Sequence, residues 1–326
     1  MVKVLSTLYA AGARRRRERY AARPDLRRRL RNPVVSVGNL AMGGRGKTPL
    51  VAAIATLLLE MGERPAILSR GYARTHPEDG VVVVRDPDGI RADLARSGDE
   101  PLMLARQLPG ASVLSARDRY TAGRLAEHHL GATVHVLDDG FQHLQLERDI
   151  DLLILGRDDI ARPLTVPAGN LREPLDTMIV ADAILTADDE VSIDPAGPPI
   201  PVFGIRRVAA SARASSGGAY AVAGIADPAR FFAELRDAGW TLADSRAFPD
   251  HHAFRGREVE RIFADARSAG AGTVVTTEKD LVRLLPFRPF PLPVVGVPLV
   301  LRPEPFPEFR EWLGDSLRAA RDETRG

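Results

Sequence analysis

Residues 34–49, VVSVGNLAMGGRGKTP, constrain the fold more than any other stretch of this chain. An apolar run rich in β-branched residues breaks into a glycine-rich turn. Gly46, Lys47 and Thr48 then lead to Pro49, a residue suited to the first turn of a helix. The order strand, loop, helix aims the N–H groups around Gly43, Gly44 and Gly46, and the positive end of the helix, at one point where phosphate oxygens can be cradled. Ala41, Met42, Gly43, Gly44, Arg45, Gly46, Lys47 and Thr48 are therefore expected to bind a nucleotide. Lys47 would reach the β- and γ-phosphates and the Thr48 hydroxyl would hold Mg2+. The pattern GxxxxGK[ST] asks for glycine where this chain has Ala41, but its last three positions match fully. The competing reading is a glycine-rich loop with an exposed lysine.

The following segment carries Leu50, Val51, Ile54, Leu57, Leu58 and Met61 near a 3.6-residue period and stops at Gly62, as a helix covering a sheet would. Short apolar runs at 66–68, 111–114, 134–137 and 152–155 alternate with helical patterns, with a hairpin expected around Val81–Val84 and a return to the sheet over 179–185. Residues 187–218 are rich in Asp, Pro, Gly and Ser, with one strand at 202–205. A second alternating series follows: strands over 220–225, 240–248, 273–277 and 294–300, with helices over 228–238 and 256–270 and a frayed tail after Arg318. The expected fold is α/β: a P-loop NTPase-like, mostly parallel sheet over 33–205, a second, smaller α/β lobe over 206–326, and an N-terminal basic amphipathic helix within a membrane-surface arm over 1–32.

That arm is set apart by charge. Residues 1–32 hold eleven Lys or Arg against two acidic residues, a balance of +9, so the remainder carries −7 within a net charge of +2. The apolar Val2, Val4, Leu5, Leu8 and Tyr9 precede the arginines. An apolar tip on a basic stem suits an anionic membrane surface, with nucleic acid or a merely solvated helix as the alternatives. No aromatic stacking series supports nucleic acid. The chain of 326 residues has no cysteine, which excludes disulfides and thiolate chemistry, and no apolar run of membrane-spanning length.

Asp138, Asp139 and Gly140 end the apolar run 134–137, and a carboxylate there can hold or orient magnesium beside a phosphate loop. In a parallel sheet both motifs reach the carboxyl edge. Asp99 is either a helix N-cap or part of a general base. Adjacent His251 and His252 could supply an imidazole base, whereas zinc lacks a third spaced ligand. Arg70, Arg119 and Arg172 are candidate phosphate clamps and Glu173 a candidate magnesium ligand, each with a surface-charge alternative. The run Thr276 to Asp280 has the wrong order for a guanine-reading box.

Six blocks occur in one order: Ser36 to Asn39 through Gly43 to Pro49, Ser69-Arg70-Gly71-Tyr72, Leu137-Asp138-Asp139-Gly140-Phe141-Gln142-His143, Leu171-Arg172-Glu173-Pro174, Phe248-Pro249-Asp250-His251-His252, and Thr277-Glu278-Lys279-Asp280. Together they resemble the tetraacyldisaccharide 4'-kinase (lipid A 4'-kinase) family, whose loop also commonly lacks the first glycine. Asn170 departs from the proline that many members place there. The resemblance implies a peripheral enzyme on the cytoplasmic face of the inner membrane that uses ATP and Mg2+ to phosphorylate the 4'-hydroxyl of an acylated disaccharide 1-phosphate. It implies no obligate protein partner and no nucleic acid. Carried over by position, Asp99 and His251 form a dyad that takes the hydroxyl proton. Lys47 and Asp139 join them in catalysis, and Thr48, Asp138 and Glu173 surround the metal. The competing function is a P-loop ATPase acting as a nucleotide-switched partner-binding protein.

Overall fold

A computed structural model describes residues 1–43, 46–71, 74, 80–187, 199–208, 218–250 and 252–325. Helix α1 (Val2–Ala22) leads to β1 (Val34–Asn39), α2 (Lys47–Glu60), β2 (Pro65–Ser69), β3 (Val82–Asp86), β4 (Gly89–Ile90), α3 (Leu94–Ser97), α4 (Asp99–Gln107), β5 (Ser112–Ser115) and α5 (Arg119–His129). Then come β6 (Val134–Asp138), β7 (Ile150–Ile154), α6 (Arg157–Ala161), β8 (Ala183–Thr186) and β9 (Val202–Val208). The second series is β10 (Ala219–Ala223), α7 (Pro228–Asp237), β11 (Leu242–Ala247), α8 (Gly256–Ser268), β12 (Thr273–Thr277), α9 (Glu278–Leu284) and β13 (Val294–Val297), and the chain finishes with β14 (Val300–Glu304) and α10 (Phe306–Arg325).

The large sheet has ten strands in the order β14-β9-β8-β7-β1-β6-β2-β5-β3-β4. The seven from β9 to β5 are parallel, with antiparallel strands at both edges. Alternate side chains go to opposite faces: Val35, Val37, Ile67 and Val136 pack in the core under α2, while Val34, Ala66, Leu68 and Leu137 pack on the side of α5. Burial on both faces explains why these strands read as unbroken apolar runs. Helix α2 buries Leu50, Val51, Ile54, Leu57 and Leu58 as its period requires. The smaller sheet, β11-β10-β12-β13, is wholly parallel.

Several expectations are corrected here. The apolar run 294–300 is not one strand. Pro298, which lacks an N–H, separates β13 in the small sheet from β14, which pairs antiparallel with β9 in the large one. The tail is not frayed: Phe309, Leu313 and Leu317 fall on one face of α10 and fill the large core, with Phe309 edge-on to Phe203 at 5.0 Å, and Arg321 pairs with Glu63 at 2.7 Å. The small sheet therefore spans residues 219–297, and residues 300–325 complete the large lobe instead of the C-terminal one. The segment 179–185 becomes strand only from Ala183, after a 3-10 turn at Leu175–Val180.

The N-terminal arm is helical over Val2–Ala22, and five of its eleven basic residues pair with the acidic body. Arg14 pairs with Asp176, Arg17 with Glu173, Arg27 with Glu147, Arg28 with Asp118 and Arg29 with Asp149. Ser6 is buried, its hydroxyl donating to the Thr165 carbonyl at 2.6 Å and accepting from the Ala168 N–H at 2.9 Å. Met1, Val2, Val4, Leu5, Leu8 and Tyr9 stay exposed. Among the described residues, no helix is long and apolar enough to cross a membrane.

Candidate active site

The site forms where β1 and β6 end side by side. Parallel register sets Val37 opposite Asp138, so the chain leaving β1 for the phosphate loop passes the Asp138-Asp139 turn. Gly140 permits this approach, since a Cβ there would stand 2.6 Å from Leu137 Cβ and 2.7 Å from Ser36 Oγ. Asp139 has φ of 56°, the one positive value at a non-glycine position among the described residues, a strained conformation of the kind that tends to mark functional turns. The loop is also held from outside. Met42 N–H donates to the Asn170 carbonyl at 2.7 Å, Arg172 N–H donates to the Leu40 carbonyl at 2.6 Å, and Ala41 bridges Leu171. Thus Asn170, despite its departure from the family pattern, clasps the loop through its backbone.

Gly46 takes a left-handed φ of 74° as the N-cap of α2, a conformation that glycine adopts without cost. From the first turn of that helix the Lys47 Nζ donates to Asn39 Oδ1 at 3.1 Å and the Gly43 carbonyl at 3.0 Å, and lies 3.5 Å from Asp139 Oδ1. Thr48 is buried beside it. Gly44 and Arg45 lie outside the described residues.

Arg172 reaches the same cluster. Its Nη1 and Nη2 donate to the two Asp139 oxygens at 2.9 and 2.8 Å, and Nη2 also donates to Asn39 Oδ1 at 2.6 Å. Burial alone would raise the Asp139 pKa, but Arg172 and Lys47 outweigh it and hold the carboxylate below its usual range. Asp138 is the opposite case: burial, reinforced by Glu100 and Asp139, pushes its carboxyl up to about 7 against the pull of Lys47 and Arg119. Two neighbouring carboxylates thus sit in different surroundings, one countered by cations and one short of positive charge.

Arg119 is buried at the start of α5. Burial first, then the charge of Arg70, lowers its pKa, while Asp138 and Asp139 oppose this. Arg70 is exposed beyond the end of β2. Asp99 is not the N-cap of α4, a position taken by Gly98. It is the first helical residue, 5% exposed, with its carboxylate held by Arg283. His251 lies outside the described residues. His252 is not available as its twin, because its ring stacks on Phe248 at 4.7 Å and its Nε2 meets Glu258 at 3.2 Å. Glu173 is engaged by Arg17, and among the described residues no three carboxylates or imidazoles gather as a metal cluster.

Three participants were not singled out by the sequence. Asn39 lies in the first motif block but with no role of its own there, and Glu100 and Arg283 enter only through geometry. Asn39 could be anticipated as the last strand residue before the loop, and Arg283 from its i, i+3 spacing to Asp280.

Known proteins resemble this chain over nearly its whole length. A family model described as Tetraacyldisaccharide-1-P 4'-kinase matches residues 1–318. A tetraacyldisaccharide 4'-kinase of Geobacter metallireducens is 40% identical over 306 residues, covering 88% of each chain. Its counterpart in Koribacter versatilis is 39% identical over 310 residues, covering 91% of this chain and 94% of that one. A crystal structure of LpxK from Aquifex aeolicus in complex with ATP superposes with a TM-score of 0.78 at 31% identity, covering 96% of this chain and 97% of that chain. By its match to the family model over residues 1–318 and its relatives of about 40% identity, the chain belongs to the tetraacyldisaccharide-1-P 4'-kinase family.

Proposed function

We infer that this protein transfers the γ-phosphoryl group of ATP to the 4'-hydroxyl of a tetraacyldisaccharide 1-phosphate in lipid A biosynthesis. The observation that carries the inference is the convergence of Lys47, Asn39, Asp139 and Arg172 on one loop at the sheet's carboxyl edge, in a chain of this family. Lys47 is the cation for the β- and γ-phosphates, and Asp139 with Asn39 holds its ammonium in place before nucleotide arrives. Arg70 and Arg119 supply further positive charge. Magnesium fits the donor set, because Asp138 is a buried carboxyl crowded by Glu100 and Asp139, and a cation held by it and by the Thr48 hydroxyl would neutralise phosphate oxygens. Asp99 and His251 take the proton of the sugar hydroxyl as its oxygen bonds to the γ-phosphorus and the bond to the departing ADP breaks.

The acyl chains of such an acceptor need not leave the bilayer. The exposed tip from Met1 to Tyr9, with Leu164 also exposed in the loop that clasps Ser6, supports peripheral binding at the inner membrane's cytoplasmic face. Five of the arm's eleven basic residues are paired with the body, so apolar insertion and the remaining charge act together in this attraction.

The test follows radiolabel from γ-labelled ATP with tetraacyldisaccharide 1-phosphate in mixed micelles. Label is expected in the extracted lipid and is expected to vanish in Lys47→Ala. Release as inorganic phosphate without labelled lipid would instead establish a nucleotide-switched ATPase.

A further inference from the structure

The contact between the lobes contains a buried group of charges. Arg283, on α9 of the small lobe, is 8% exposed and its guanidinium forks across the boundary. Nε and Nη2 donate to Asp99 Oδ2 at 3.0 and 2.5 Å. Nη1 donates to Asp280 Oδ1 at 3.0 Å and to the Gly224 carbonyl at 3.2 Å. The other oxygen of Asp99 accepts from the Glu100 N–H at 2.9 Å. Asp280 is fully buried, and its Oδ2 accepts from the Gly224 N–H and the Thr277 hydroxyl, both at 2.8 Å. Gly224 also borders the turn that flanks position 251, since a Cβ on it would lie 3.1 Å from Asp280 Oδ1 and 3.4 Å from both His252 Cβ and the Pro249 carbonyl. One side chain thus joins the carboxylate at the start of α4 to Gly224, which borders Pro249 and His252.

Buried ion pairs are a weak means of holding two bodies together, because desolvation offsets most of the attraction. Apolar contact already does that here: Val282, beside Arg283, is buried in the large lobe's core. What a planar, two-pronged guanidinium adds over apolar packing is orientation.

We propose that Arg283 is the positioning residue for Asp99, fixing the orientation of its carboxylate and making that orientation depend on how the lobes meet. The proposal rests on the role given to Asp99 above. Replacing the fork with lysine leaves a charge without the plane, and replacing it with methionine leaves neither.

The experiment measures kcat, KM for ATP and thermal melting for Asp99→Asn, Arg283→Met, Arg283→Lys and the double variant Asp99→Asn/Arg283→Met. Asp99→Asn is expected to lower kcat by about 10²-fold or more, as loss of a general base does. Arg283→Met is expected to lower it about 10- to 100-fold with KM for ATP unchanged, Arg283→Lys less so. The double variant should be no slower than Asp99→Asn alone, because a positioning residue has nothing left to position. Multiplying losses, or Arg283→Met turning over like the parent, would overturn the proposal while leaving Asp99 in its role. Normal turnover in Asp99→Asn would overturn that role itself. Should Arg283→Met fail to fold, Arg283→Lys decides: parental kcat in a folded protein rejects the proposal, and a lowered kcat at unchanged KM upholds it.

Discussion

Replacing Arg17 with methionine tests whether the N-terminal helix is part of the folded body. Arg17 donates twice to Glu173 Oε2, at 3.0 and 2.8 Å, with the two side chains only 16% and 6% exposed, and its guanidinium lies 4.7 Å above the Phe141 ring. Removing one partner of a buried pair costs about 3–5 kcal/mol, because the other charge stays buried and unpaired. Arg17 retains some contact with water, which argues for the lower end, about 3 kcal/mol, of which the lost cation–π contact accounts for roughly 1. Glu173→Gln in the same chain should restore all but that last part. The loss must also depend on pH. Burial raises the Glu173 pKa, with Arg17 opposing, and without Arg17 it rises further. The folded state then binds a proton more readily than the unfolded chain, so stability falls as pH rises through the window above 4.5 and recovers as pH falls back through it. Urea unfolding at pH 8 and pH 5 reads both effects. A loss under about 0.5 kcal/mol against the 3 expected, or a double variant no more stable than the single one, would show that α1 does not dock as described.

Phe309→Ala should cost about 3–5 kcal/mol, since the ring is fully buried against Phe203, and unfolding by urea would show it; a change under about 1 kcal/mol would detach α10 from the large core. His143 is held neutral, its pKa pushed down to about 4 by burial and then by Arg119 and Arg148. The unfolded chain therefore binds the proton first as pH falls, so His143 lends stability that is whole above about 6.5 and is lost toward 4. A His143→Gln variant should have a flatter stability curve across that window, and curves that run parallel to the parent's would refute the assignment.

Local features were legible wherever a short stretch determines its own geometry. The strand, loop and helix around Lys47, the period of α2 and the carboxylate turn after β6 each lie within one run of sequence. The long-range partnerships were not. Nothing near Val300 distinguishes a strand of the small sheet from one that crosses back to β9, because both need the same apolar alternation. The arm arginines look free in sequence because their carboxylates, Glu173 and Asp176 among them, come from distant loops. His252 resembled half of a functional pair, and only packing reveals its aromatic clamp. Arg283 looked like any charge on a helix until the fold laid it against Asp99.

The return of β14 and α10 to the large sheet has a consequence for how the protein is made. The small sheet is built from one uninterrupted stretch and holds every strand it needs once residue 297 has been synthesised. The nucleotide-binding lobe, begun far earlier, still lacks an edge strand and the helix carrying Phe309, Leu313 and Leu317. During translation its apolar interior therefore stays incomplete until segments made after the whole of the small sheet have been added.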